Sequence, residues 1–310
     1  MTDPATEFRS FAKERGIEID RIVHVHPGKG RIVAVTARAG RPYSLVKWNV
    51  PGGEHQAKLL REIAFYSTPS TLHRFTPELV DHGKNFLEIE YIEAIPLRRW
   101  LIDRRDSGNA PLRMIESYVA VLNALAAGRG PSVAPVDDAR DLASYLSKLF
   151  SSGPMDAPDY PANRRIAGLY RNHFCSRARR RIRRALETIA QDPHRAVGHR
   201  DFHLNNILYT RDGRLQVVDW ENAGPSSIFV DALYSHAMLS HLLLSTAERD
   251  VLSSGMKRWE PLKTPNISHA FDQLLPLFSA TVASNPRFHD RMRPFTVARA
   301  HLSLAFGRGI

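Results

Sequence analysis

The sequence predicts an α+β fold of two unequal lobes, and three observations predict it. Short β-branched runs separated by glycine and proline turns fill the first part, apolar positions at helical spacing dominate from Leu97 onward, and the period changes near residue 93. The division is drawn at 1–92, a small antiparallel sheet with one helix, and 93–310, a larger and mainly helical part.

Three strands are expected over 21–25, 32–38 and 44–48, because β-branched runs there are punctuated by His26-Pro27-Gly28-Lys29-Gly30 and Ala39-Gly40-Arg41-Pro42. After Pro51-Gly52-Gly53, residues 55–67 place Leu59, Ile63 and Tyr66 on one stripe, so a helix packed on that sheet is expected. Strands over 79–81 and 86–92 complete the small lobe. Helices are then expected over 111–127, 142–150, 172–189, 231–244 and 270–284.

The 310 residues carry a formal charge of +11, which favours anionic partners without choosing among nucleotides, acidic glycans, membrane surfaces and nucleic acid. Cys175 is the only cysteine, which excludes an internal disulfide and a multi-cysteine metal site and fits a reducing compartment. Residues 1–10 lack the apolar run of a secretory signal, and the most apolar stretch, 232–244, is too short to span a bilayer and carries His236 and His241. A cytoplasmic protein is expected. The arginines of 177–184 sit mostly off the apolar stripe of their helix, so a solvated basic face is the plain reading and an anion or membrane contact the alternative. No histidine pair has the helical spacing with a carboxylate that a zinc site needs, and nucleic acid is not expected as a partner.

The chemistry concentrates in His199-Arg200-Asp201-Phe202-His203-Leu204-Asn205-Asn206, followed by Leu215-Gln216-Val217-Val218-Asp219-Trp220-Glu221. Phosphoryl transfer needs a carboxylate beside the attacking hydroxyl and oxygen ligands for a metal that bridges the donor phosphates. Asp201, Asn206 and Asp219 supply that set, and the Arg211-Asp212-Gly213 turn lets them converge. Lys47, in Leu45-Val46-Lys47-Trp48, is a charge amid apolar strand residues, which is costly unless its ammonium meets anions. Glu62, fifteen residues on and on the expected helix, is the partner chosen for it over Glu54, which sits at the helix start.

In its H-x-D-x-x-x-x-N loop and following aspartate, the stretch resembles aminoglycoside phosphotransferases and choline kinases, and more distantly protein kinases. The resemblance implies a two-lobed protein-kinase-like fold, ATP and Mg²⁺ as cofactors, Asp201 as catalytic base, Asn206 and Asp219 as metal ligands, and His199 as a structural support of the loop. It further implies that Lys47 and Glu62 form the ion pair of the nucleotide site, that Gly28 and Gly30 let backbone amides approach the triphosphate, and that the backbone of Glu90 to Ile92 recognises adenine.

His203, where protein kinases carry Lys or Arg, and the absence of D-F-G and A-P-E segments point to a small-molecule acceptor. Asp231 matches a further aspartate of the family, and as an N-cap of the helix starting at Ala232 it has an equally good structural reading. Residues 232–310 hold nine Lys or Arg against five Asp or Glu, which disfavours a polycationic acceptor and favours a neutral or anionic hydroxyl compound, such as a sugar or glycan. The competing expectations are a glycan sugar kinase at the membrane face and a non-catalytic pseudokinase; retention of all five polar residues argues against the latter.

Overall fold

The computed structural model describes residues 3–26, 30–53, 55–103, 110–127, 176–190, 196–226, 228–243 and 245–283. Five strands form one antiparallel sheet: β1 (Glu18–His26), β2 (Arg31–Arg38), β3 (Arg41–Asn49), β4 (Leu79–Gly83) and β5 (Phe86–Glu90), in the order β1-β2-β3-β5-β4. The β2–β3 hairpin turns on Ala39 and Gly40, both at positive φ, the backbone that a two-residue connection between twisted strands requires.

Alternation along these strands gives the sheet two faces. Ile32, Ala34, Val46, Trp48 and Phe86 face one side and pack against Phe8 of α1 (Pro4–Glu14). The sequence reading missed this helix and allotted the small lobe one helix; the structure has two there. Pro4 opens α1 where its missing N–H is not needed, and Phe8, Phe11 and Ala12 recur at helical spacing. Phe8 is fully buried, a burial that stabilises by about 1.5–3 kcal/mol.

The other face carries Leu87, Ile89 and Lys47 toward α2 (Gln56–Ser67) and the main core. That core continues through α3 (Leu97–Asp103), α4 (Ala110–Ala127), α5 (Ser176–Ala190), α6 (Ile228–Leu242), α7 (Thr246–Met256) and α8 (Pro265–Ala283). Two small ribbons lie between the sheet and these helices. In one, β6 (Ala94–Pro96), β8 (Ile207–Thr210) and β9 (Leu215–Val217) run in the order β6-β8-β9; in the other, β7 (Ala196–Gly198) pairs with β10 (Gly224–Ser226).

The expected helix over 172–189 is seen from Ser176, and the one over 142–150 lies outside the described residues, as do Cys175, Glu54 and Gly28. The helix expected over 231–244 begins earlier, at Ile228, so Asp231 is inside its first turn and is not its N-cap. α7 was not expected; Ser245 and Glu248 open it with a reciprocal capping box. The strand read over 86–92 ends at Glu90. Among the described residues no helix is long and apolar enough to cross a membrane.

Candidate active site

The site lies where the cleft face of the sheet meets the loop between β7 and β8 and the segment after β9. Lys47, on the central strand β3, extends its ammonium to Glu62 Oε1 and Oε2 on α2 at 2.7 and 2.9 Å and to Asp219 Oδ1 at 2.7 Å. Glu62 is fully buried, and its Oε1 also accepts the backbone N–H of Trp220 at 3.2 Å. One carboxylate therefore ties the helix, the sheet and the segment after β9 together. The Trp220 indole stacks on Phe65 of α2 at 3.9 Å, which makes the same junction in apolar terms.

Asp219 adopts a left-handed backbone, φ 68° and ψ 55°, which aims its carboxylate back into the cleft. The neighbouring Lys47 ammonium holds that carboxyl well below the usual range, against the opposing effect of burial. Its side chain keeps 36% of its exposure, so an oxygen remains accessible.

The β7–β8 loop is held from three directions. His199 donates from Nε2 to the carbonyl of Val218 at 2.9 Å, which fixes the proton on that nitrogen. Burial lowers its pKa from 6.5 to about 4, so the ring is neutral at physiological pH. Asp231 Oδ2 accepts the backbone N–H groups of His199 at 2.7 Å and Arg200 at 3.2 Å. Arg200 is itself left-handed at φ 65°, and a Cβ at Gly224 would stand 3.3 Å from its guanidinium. Asp231 is therefore a clamp on the loop, a role the sequence reading did not assign. Burial drives its carboxyl up to about 7, with the amides of Arg200 and His199 pulling the other way.

Asn206 closes the loop: its Nδ2 donates to the carbonyl of Asp201 at 3.0 Å, and its own carbonyl accepts the N–H of Val218 at 2.9 Å. The side-chain oxygen is thereby the atom left for a ligand. Asp201 has its carboxyl raised by burial, while His203, whose Nε2 is 3.6 Å from Oδ1, draws it down.

A second ionic group adjoins the first. Arg31, the first residue of β2, pairs with Glu221; Lys58 of α2 reaches Glu221 Oε1 at 3.1 Å, and Arg61 Nε donates to the Glu221 carbonyl at 3.1 Å. The sequence reading passed over this group, although Glu221 stands two residues after Asp219. Gly30, at φ 59°, has its carbonyl bonded by the Val50 N–H at 2.7 Å, and an added Cβ would press on Val50 at 3.1 Å. At the strand end, the amides of Glu90 and Tyr91 are taken by the carbonyls of Glu78 (2.8 Å) and Tyr43 (3.1 Å). Ile92 follows immediately, outside the sheet.

Asn206 and Asp219 offer hard oxygen donors of the kind Mg²⁺ prefers. Among the described residues no group of three or more His, Cys, Asp or Glu could hold a metal ion, so the remaining ligands of such an ion would be phosphate and water oxygens.

Residues 29–259 match a family model described as the phosphotransferase enzyme family. No curated protein matches the chain. Among solved structures, the chain is similar to a macrolide 2′-phosphotransferase type I, with 15% identity, 98% of this chain and 99% of that one covered, and a TM-score of 0.51. It is also similar to a thermostable mutant of the aminoglycoside phosphotransferase APH(4)-Ia (15% identity, 97% and 99% covered, TM-score 0.52). A third is the streptomycin–ATP ternary complex of APH(2″)-IIa, at 14% identity, 90% and 88% covered and a TM-score of 0.53. At such identities these likenesses speak for the fold, which is two-lobed and kinase-like.

Proposed function

The chain belongs to the phosphotransferase enzyme family, and from that premise we propose that it transfers the γ-phosphoryl group of ATP to a hydroxyl of a small metabolite or sugar. The observation that carries this reading is the gathering of Lys47, Glu62 and Asp219, drawn from residues up to 172 apart, beside the loop of Asp201 and Asn206. In this reading residues 1–92 form the nucleotide-binding lobe and 93–310 the catalytic and acceptor-binding lobe.

Lys47, kept in place by Glu62, binds the donor phosphates, and the backbone at Gly30, free of a side chain, lets them approach. The carbonyl of Glu90 and the amide of Ile92 meet the adenine edge. Asn206 and Asp219 hold Mg²⁺, which when bound supplies charge neutralisation at the phosphoryl oxygens. Asp201 orients the acceptor hydroxyl and takes its proton as the bond to phosphorus forms; its raised pKa suits that task. Asp231 and His199 position Asp201 through the loop backbone. A neutral or anionic acceptor fits the basic residues of 232–310 better than a polycation does. Dependence on ATP suits action in the cytoplasm.

A second reading, a glycan kinase working at the membrane face, draws on the exposed Arg177, Arg180, Arg181, Arg183 and Arg184 of α5. Salt-sensitive co-sedimentation with anionic vesicles would favour it. The test of the main reading is an acceptor screen that measures ADP release, with Asp201→Asn as control. A hydroxyl acceptor should stimulate release in the parent chain, and Asp201→Asn should lower kcat by about 10²–10⁴-fold with little change in nucleotide affinity. Stimulated release that survives Asp201→Asn removes Asp201 from the mechanism.

A further inference from the structure

Arg31 and Lys58 converge on one carboxylate from two different elements. Arg31 opens β2 directly after Gly30 and lies opposite Asn49 in the β2–β3 register. Asn49 is two residues from Lys47 on the same strand, so Arg31 and Lys47 share the cleft face of the sheet. Lys58 precedes Glu62 by one helical turn and so shares its side of α2. The two cations meet at Glu221, and Arg31 Nη2 stands 3.9 Å from Glu62 as well.

Three further observations give this group more than a bracing role. Arg31 is about nine-tenths buried, yet its Nε has no acceptor, and the Asn49 amide beside it, almost fully buried, has a partner for neither of its polar atoms. Donor capacity thus remains unspent at the start of β2. Lys58 keeps about a third of its exposure, so its ammonium can swing between partners. A carboxylate gripped by a guanidinium and an ammonium has the chemistry of a phosphate in the same grip.

We propose that Arg31 and Lys58 form a second phosphate receptor of the cleft, taking the terminal phosphate of the nucleoside triphosphate, and that Glu221 competes with that phosphate for them. This rests on the phosphotransferase reading above. Lys47 then serves the inner phosphates and the second pair the transferred one. Glu221 acts as an internal anion that the nucleotide must displace, so it weakens binding while keeping the two cations in place. A purely structural strut makes the opposite prediction for the loss of its charge.

The test is calorimetric titration of ATP and of ADP, in magnesium buffer, into the full chain and its Glu221→Gln and Lys58→Gln variants. The proposal expects Glu221→Gln to bind ATP about 3–10-fold more tightly, as removal of a competing internal partner does. It expects Lys58→Gln to bind ATP about tenfold more weakly, with a smaller change for ADP. Weaker or equal ATP binding by a folded Glu221→Gln variant overturns it. If that variant fails to fold, Lys58→Gln decides the matter, because an unchanged ratio of ATP to ADP affinity overturns the proposal equally. Failure of the parent chain to bind either nucleotide would instead remove the phosphotransferase reading beneath it.

Discussion

Asp219 and Asp201 are carboxylates of one cleft, and their surroundings push them in opposite directions. Asp219 lies 2.7 Å from the Lys47 ammonium, and its carboxyl is held well below the ordinary range. Asp201 makes no such contact with a lysine or arginine among the described residues: the His203 ring lies 3.6 Å from it, and burial raises its carboxyl. In the proposed function this contrast divides the labour: Asp219, kept ionised, would serve as a metal ligand, and Asp201, raised by burial, as the proton acceptor. The neutral His199, bonded to the carbonyl of Val218, serves geometry and carries no charge into the site.

The largest way to break this contrast is to remove its source. Lys47→Ala leaves Glu62 and Asp219 facing each other in a buried corner, and loss of one partner of a buried ion pair costs about 3–5 kcal/mol. Chemical denaturation should show that loss, and nucleotide binding should vanish with it. Stability within about 1 kcal/mol of the parent would mean that the Lys47 corner is not a buried charge centre.

Acid should act next. Burial holds His199 and His236 at about 4, against 6.5 when exposed. Because the folded-state values are depressed, the unfolded chain binds these protons first, and stability is lost as the pH falls from about 6.5 to about 4. Each ring contributes about 3 kcal/mol over that window. The raised Asp231 carboxyl works in the opposite direction over the same window, so the readout is the difference between chains: the parent should lose about 3 kcal/mol more stability across it than His236→Phe does. An identical slope in that variant would show that His236 is protonated in the folded chain.

Asp231→Asn tests the clamp. Asparagine keeps an oxygen for the His199 and Arg200 amides but buries an NH2 donor in place of the second carboxyl oxygen, so stability should fall by about 1–3 kcal/mol. Turnover should fall with it, through a misplaced Asp201, while nucleotide affinity changes less. The mildest probe is His203→Gln. It removes the neighbouring ring that draws Asp201 down, so the acidic limb of the kcat profile should move to higher pH. A limb that stays in place would detach His203 from Asp201.

Legibility in the sequence follows the distance over which each feature is encoded. The sheet strands, α2 and the polar set Asp201, Asn206 and Asp219 are written in local periods and short spacings, and the structure brings those residues to one cleft. Lys47 was legible because a charge in an apolar strand demands a counter-charge, and Glu62 on the next helix meets that demand. The Arg31–Glu221 pair spans 190 residues, and no period connects its members. Of the two readings of Asp231, the N-cap fails for a related reason. Its partners are backbone amides 31 and 32 residues upstream, while a short acidic residue before an apolar helix looks the same as an N-cap. α1 was within reach, since Pro4 and the Phe8, Phe11, Ala12 spacing are local signals.

In the proposed function one cleft brings Lys47, Asn206, Asp219 and Asp201 to bear on a single magnesium nucleotide. A crystal structure of the chain with Mg²⁺ and a non-hydrolysable ATP analogue tests it most directly. The expected result has the phosphates on Lys47, the ion on Asn206 and Asp219, and the terminal phosphate facing Asp201. A nucleotide bound outside that cleft, or an ion that avoids both Asn206 and Asp219, would contradict it.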